Sequence, residues 1–123
     1  KRLTGCGAGH EYVAISPEGD IYPCHQFVGQ EKYKMGSLYD AEEMAGIELN
    51  RDLVQTFRSA HVYNKEECRN CWARFSCSGG CHAANSAFSG TLTDVYKLGC
   101  RLQKKRLEVA LYVKLKQLLA EKA

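Results

Sequence analysis

The chain has 123 residues, enough for one domain with a modest core. Hydrophobic residues make up 45% and charged residues 25% of it, and the net charge of +3 is too small to indicate a nucleic-acid partner, which needs a concentrated basic face. No apolar run reaches about 18 residues, so the sequence predicts no membrane span and no signal peptide. Because the chain begins with Lys1 and a cysteine follows almost at once, we expect a piece of a longer protein, cut just upstream of a functional unit.

A β-hairpin is predicted near the N terminus, with strands over residues 11–15 and 20–23. The connecting residues 16–19 read Ser-Pro-Glu-Gly. Pro17 presets the first dihedral angle of a turn, and Gly19 can take the positive φ that costs other residues energy. Gly19 is therefore expected to be a structural turn residue.

The middle of the chain contains two predicted helices. Residues 27–39 are expected to be loop or short extended structure, after which Asp40 is suited to cap a short helix over residues 41–45. A second helix is predicted over residues 51–61, because three apolar residues share one face. They are Leu53, Val54 and Phe57. Residues 64–100 are rich in Cys, Gly, Ser and Asn, and we expect ligand bonds rather than a hydrophobic stripe to organise them.

The C-terminal residues 101–121 form the clearest predicted helix. Apolar residues recur there at spacings of three and four, which indicates one apolar stripe. The stripe comprises Leu107, Ala110, Leu111, Leu115 and Leu118. At about 1.5 Å per residue the helix spans roughly 30 Å. We expect it to pack on its own domain; the alternative is that it docks on a domain outside this chain.

The seven cysteines are the unusual feature of the composition. An odd number would leave one thiol over in a disulfide framework, and clustered cysteines in an intracellular protein more often bind metal. A C-x2-C turn at residues 68–71 lets two thiolates reach one centre. Two glycines between Cys77 and Cys81 remove side chains where the backbone must pass close to a bulky inorganic core. The hairpin brings Cys24 back beside Cys6.

Counting ligands divides the cysteines into two sets. A tetrahedral zinc ion or a cubane cluster takes four thiolates, so seven cysteines divide into four and three. One division keeps the four cysteines of residues 68–81 together. The other moves Cys81 to the set of Cys6 and Cys24, and Cys100 then joins the remaining three. Spacing alone leaves both divisions open.

The complete pattern resembles the SPASM domain, the C-terminal extension of many radical S-adenosylmethionine enzymes that modify peptides. Its signature is C-x9–15-G-x4-C, then C-x2-C-x5-C-x3-C and a last cysteine, and all seven cysteines and Gly19 match it between Cys6 and Cys100. The stretches CGAGHEYVAISPEGDIYPCHQF and CWARFSCSGGCHAAN look closest to the SCIFF-type maturases. Those enzymes install thioether bridges from Cys to an α-carbon in Cys-rich ribosomal peptides.

The resemblance implies two auxiliary [4Fe–4S] clusters. It assigns Cys6, Cys24 and Cys81 to the first cluster, and Cys68, Cys71, Cys77 and Cys100 to the second. The first cluster then has one iron without a protein ligand, where a thiolate of a precursor peptide could bind. The implied role is to engage that peptide and to relay the electron released when the thioether closes.

The catalytic part of such an enzyme is missing from the sequence. The radical cluster needs C-x3-C-x2-C, and here Cys77 and Cys81 are followed at the required position by Ala84. S-adenosylmethionine, a third [4Fe–4S] cluster and the barrel that holds them would belong to the full-length enzyme. The resemblance also implies a reducing, cytoplasmic setting.

Structural zinc is the main rival interpretation, because all-thiolate zinc sites also use C-x2-C. The chain would then be a protein-interaction module without a redox role, and zinc could also replace clusters lost in air. His25 and His82 each follow a proposed ligand and could donate hydrogen bonds near a cluster or act as acid/base groups, although ordinary packing explains them too. Trp72 and Phe75 lie between ligands and are expected to shield the second cluster from water.

Together these features predict a small α+β, Cys-rich metallodomain with a β-hairpin, cysteine-rich loops and a long C-terminal helix. The predicted order is a hairpin half around the first cluster, a helical linker, the loops of the second cluster, and the closing helix. These parts correspond to residues 1–40, 41–63, 64–100 and 101–121.

Overall fold

The computed structural model describes residues 3–40 and 46–121 of the chain. It is a small α+β domain, as predicted, with a three-stranded antiparallel sheet followed by helices. The strands, in sheet order, are β1 (Ala14–Ile15), β2 (Asp20–Tyr22) and β3 (Gly36–Ser37). The helices are α1 (Arg51–Ser59), α2 (Glu66–Arg69), α3 (Arg74–Cys77), α4 (His82–Ser89) and α5 (Lys97–Ala120).

The predicted hairpin is confirmed in a shorter form, as strands β1 and β2. Ala14 lies opposite Tyr22 and Ile15 opposite Ile21. At the turn, Gly19 has a φ of +86°, and its N–H donates to the Ser16 carbonyl oxygen over 2.9 Å. Strand β3 lies within residues 27–39, where we expect loop or short extended structure. Three single 3-10 turns occur in and next to this stretch, over His25–Phe27, Glu31–Tyr33 and Leu38–Asp40.

Helix α1 confirms the prediction over residues 51–61, although it ends two residues earlier. Its first turn is capped by Asn50, whose side chain accepts a hydrogen bond from the Leu53 N–H over 3.0 Å. The short helix predicted over residues 41–45 lies outside the described residues.

Residues 64–100 contain three short helices as well as loops. The longest, α4, begins directly after Cys81 and ends where Gly90 adopts the left-handed conformation with φ +89°. Its buried face consists of small or polar side chains, so it has no apolar stripe that a sequence pattern would detect. These buried residues are His82, Ala83, Asn85 and Ser86.

Helix α5 begins four residues before the predicted start, so that Cys100 lies in its first turns. The expectation that its apolar stripe packs on this domain is wrong. Beyond Leu107, which is half-buried, every described residue of the helix is exposed, including Leu111, Leu115 and Leu118. A helix of 24 residues is about 36 Å long and extends beyond so small a domain. It therefore does not close over the core.

The core consists of two groups of buried residues, and cysteines belong to both. In the larger group the rings of Phe27, Tyr33 and Phe57 pack against one another with centroids 4.4 to 6.0 Å apart, and Cys24 is buried among them. The smaller group contains Val62, Cys68 and Val95. The hydrophobic core thus positions at least one thiol of each cysteine set.

Among the described residues, no helix is long and apolar enough to cross a membrane.

Candidate metal centres

All seven cysteines lie in the described part of the chain, and all are free thiols. Cys24 and Cys68 are buried and Cys81 is exposed. The other four are half-buried: Cys6, Cys71, Cys77 and Cys100. Thiolates are the ligands that soft metal centres and iron–sulfur clusters require.

Cys6, Cys24 and Cys81 line one cavity of about 520 Å³. Cys24 follows strand β2, and Cys81 precedes helix α4. The loop that carries Cys6 passes so close to the other wall that a β-carbon on Gly5 would lie 3.0 Å from the Gly80 carbonyl oxygen. This close approach brings three cysteines from distant parts of the sequence to one opening.

These three thiols influence one another electrostatically. Burial raises the pKa of the Cys24 thiol; the Gln26 and Phe27 backbone N–H groups lower that pKa, and negative charge on Cys81 and Cys6 raises it. The pKa of Tyr12 is raised to about 12 by partial burial, by a hydrogen bond with Cys6, and by the charges of all three cysteines. Thiols gathered in this way lose their protons together most readily when a cationic centre binds them.

A second cavity, of about 40 Å³, is lined by the other four cysteines. Cys68 lies on α2, Cys77 ends α3, and Cys100 lies on α5. Cys71 lies in the turn between α2 and α3, where its N–H donates to the Cys68 carbonyl oxygen over 3.1 Å. Three helices and one turn therefore supply the four cysteines at this cavity.

Electrostatic interactions also link this second set. Burial raises the pKa of Cys68; the Lys65 ammonium lowers it, and the remaining three cysteines of the set raise it. Burial likewise raises the pKa of Cys100, and negative charge on Cys77 raises it further. Metal binding must therefore displace protons from thiols that burial keeps neutral.

The segment between Cys77 and Cys81 separates the two cavities. Ser78, Gly79 and Gly80 have successive positive φ angles of 59°, 85° and 78°. Among the common residues only glycine adopts positive φ angles freely, which accounts for two glycines in this segment. The cavities share a wall, because Cys77 and Cys100 also line the larger one.

No three His, Cys, Asp or Glu side chains in the described ranges converge closely enough to hold a single metal ion. The two cysteine sets instead surround cavities. A polynuclear centre anchored by thiolates at its corners fits this donor set.

The residues predicted to lie next to the proposed ligands differ in their surroundings. His82 is buried, packs edge-on against Phe57 with ring centroids 5.7 Å apart, and has its pKa lowered to about 4, chiefly by burial. His25 is exposed and lines the larger cavity. Trp72 is 56% exposed and lines neither cavity, so the expected shielding by Trp72 is not found. Phe75 packs on the smaller core group.

Lys65 was not predicted as a site residue. Its side chain is fully buried beside the segment between Cys77 and Cys81, and its ammonium donates a hydrogen bond to the Gly79 carbonyl oxygen over 2.9 Å. The only sequence signal is its position three residues before Cys68 in a hydrophilic run, which is more typical of a solvated lysine.

Comparison with known proteins gives a family match and several relatives. The family model of SPASM, described as an iron–sulfur cluster-binding domain, matches residues 6–72. An uncharacterised protein of Archaeoglobus fulgidus is 34% identical over 92 residues, which cover 73% of this chain and 21% of that protein.

Two kinds of relative have functional names. A PqqA peptide cyclase of Xanthomonas axonopodis pv. citri is 33% identical over 68% of this chain and 22% of its own length. A mycofactocin maturase, MftC, of Mycobacterium tuberculosis is 30% identical over 75% of this chain and 22% of its own length. The chain thus spans about a fifth of the length of these relatives.

Proposed function

Because the chain belongs to the SPASM family of iron–sulfur cluster-binding domains, we propose that it carries the two auxiliary [4Fe–4S] clusters of a radical S-adenosylmethionine enzyme that modifies a peptide. The observation that carries this proposal is the distribution of seven free cysteines around two adjacent cavities. The names of the relatives, a PqqA peptide cyclase and a mycofactocin maturase, support a peptide as the partner.

The proposed ligand assignment follows the two cavities. Cys6, Cys24 and Cys81 hold the first cluster, and the four cysteines of α2, α3, α5 and the intervening turn hold the second. Negative charge on Cys81 and Cys6 raises the pKa of Cys24, which supports the first group. Negative charge on the other three cysteines of the second group raises the pKa of Cys68, which supports that group. For the second cluster, the side chains around the 40 Å³ cavity must move outward on binding.

We further propose that the peptide is Cys-rich and that the product is a thioether. When bound, the clusters supply a one-electron acceptor and an iron open to a substrate thiolate. The acceptor is needed because a carbon radical that bonds to a thiolate must release one electron. The first set supplies three thiolates, one fewer than the four irons of a cubane, and its cavity of about 520 Å³ leaves room for a peptide side chain.

The residues around the first cavity would position that peptide. Gln26 lies at the opening, and its side-chain N–H donates to the Cys81 sulfur over 3.9 Å. His25 and Tyr12 line the same cavity and can donate hydrogen bonds to an incoming peptide. Buried, neutral His82 also lines this cavity and packs against Phe57.

The test uses the longer enzyme that contains this domain, with Cys24→Ala. Loss of one thiolate from a set of three is expected to remove the first cluster, about four irons, and to abolish thioether formation in the precursor peptide, measured by mass spectrometry. Thioether formed at the wild-type rate with that cluster absent would contradict both its roles.

A colourless protein that stays folded with zinc alone, even after anaerobic expression with iron, would favour the zinc interaction module.

A further inference from the structure

Lys65 is a fully buried cation with no acidic partner among the described residues. Its side chain has no exposed surface, although lysine is among the residue types least often buried. None of the Asp and Glu side chains in the described ranges pairs with it, and its ammonium donates to a neutral acceptor, the Gly79 carbonyl oxygen. A buried charge is costly unless other charges compensate it.

The nearby charges that can compensate Lys65 are the thiolates of the proposed ligands. Burial lowers the pKa of its ammonium, whereas negative charge on Cys68, Cys77 and Cys100 raises it, followed by Cys81. The effect is mutual, because Lys65 lowers the pKa of Cys68. The charges of the second set therefore act on Lys65 more strongly than the charge of Cys81 does.

Lys65 also contacts the segment that divides the two sets. The Gly79 carbonyl oxygen accepts a hydrogen bond from the Lys65 ammonium and another, of 3.0 Å, from the side-chain amide of Asn85. The oxygen of that amide accepts from the Tyr96 N–H over 3.0 Å, at the start of helix α5. Asn85 thus supplies a neutral structural link at the same oxygen, whereas Lys65 supplies the charge.

We propose that Lys65 is a positioning residue whose buried charge stabilises the second cluster, above all its reduced form, and thereby raises its reduction potential. The inference rests on the proposed function. A cubane with four thiolates is an anion and gains a further negative charge when it accepts one electron from an external reductant. A cation held in a low-dielectric environment stabilises the more negative state more strongly.

The experiment compares Lys65→Met with the wild-type protein after anaerobic loading with iron and sulfide. An EPR-monitored redox titration is expected to show the reduction equilibrium constant of the second cluster lowered about tenfold, which is ~59 mV for one electron. Lys104→Met is the matched control, because exposed Lys104 also acts electrostatically on Cys100 but is screened by water. Asn85→Leu removes the neutral hydrogen bond and leaves the charge. Both controls are expected to change the constant by less than about twofold.

Three outcomes decide the matter. A Lys65→Met protein that holds both clusters with an unchanged reduction equilibrium overturns the inference. If Lys65→Met loses the second cluster, recovery of iron and of the potential in Lys65→Arg supports the role of the charge, and failure of Lys65→Arg overturns it. A wild-type protein that does not hold two clusters overturns the proposed function and, with it, this inference. The iron content, measured before any titration, therefore distinguishes the two failures.

Discussion

Gly19 shows how a single residue determines the position of a cysteine that we propose as a ligand. With φ at +86° it reverses the chain between β1 and β2, and β2 leads directly to Cys24. A β-carbon at Gly19 would also lie 2.7 Å from the ring of Tyr39, which is exposed and can turn away. Its backbone angle is therefore the main reason that a glycine occurs there.

We predict that Gly19→Ala destabilises the cluster-free chain by about 1–2 kcal/mol, the cost of a left-handed alanine. Urea unfolding followed by circular dichroism measures the difference. Gly29→Ala is a suitable control, because Gly29 has a φ of +80° and no atom lies within 4 Å of its added β-carbon; it is expected to lose a similar amount. Wild-type stability in Gly19→Ala would show that the turn tolerates a β-carbon.

At the scale of elements, the exposed C-terminal half of α5 contrasts with the packed helices. Leu111 is 63% exposed and Leu115 55%, whereas Leu92, in the loop before α5, is 6% exposed and lies in the core. The same apolar periodicity would be present whether the helix packed on this domain or elsewhere. The exposed stripe therefore stabilises this domain little.

We predict that Leu111→Ala changes the free energy of unfolding by less than about 0.5 kcal/mol, as expected for an exposed site. The buried counterpart Leu92→Ala is expected to cost about 2–5 kcal/mol, through lost burial and a cavity. Thermal or urea unfolding of the two variants side by side measures the difference. Comparable losses in both would mean that the α5 stripe is covered in solution.

The elements differ in how far sequence could predict them. The hairpin, α1 and α5 have strong local signals: a Pro-x-Gly turn and apolar residues at helical spacing. Helix α4 has none, because its inner face carries Asn85, Ser86 and Ala83 rather than large apolar residues. Strand β3 is two residues long, and no periodicity is visible at that length. The burial of Lys65 depends on tertiary contacts alone.

At the scale of the whole molecule, the proposed assignment of the cysteines to two clusters depends on the segment between Cys77 and Cys81. Sequence spacing left two divisions of the cysteines open, since it does not show on which side of Ser78–Gly80 each thiol lies. The left-handed backbone of that segment directs Cys81 toward the cavity of Cys6 and Cys24. The ammonium of Lys65 and the amide of Asn85 hold the segment through one carbonyl oxygen.

The most direct test of the central claim is the iron content of two double variants after anaerobic reconstitution. The wild-type protein is expected to bind about eight irons, as two cubanes. If Cys24 and Cys81 share a cluster, the Cys24→Ala, Cys81→Ala protein keeps about four irons, and the Cys24→Ala, Cys100→Ala protein keeps almost none. The opposite result, with iron retained in the second variant and lost in the first, would contradict the assignment of Cys81 and Cys100.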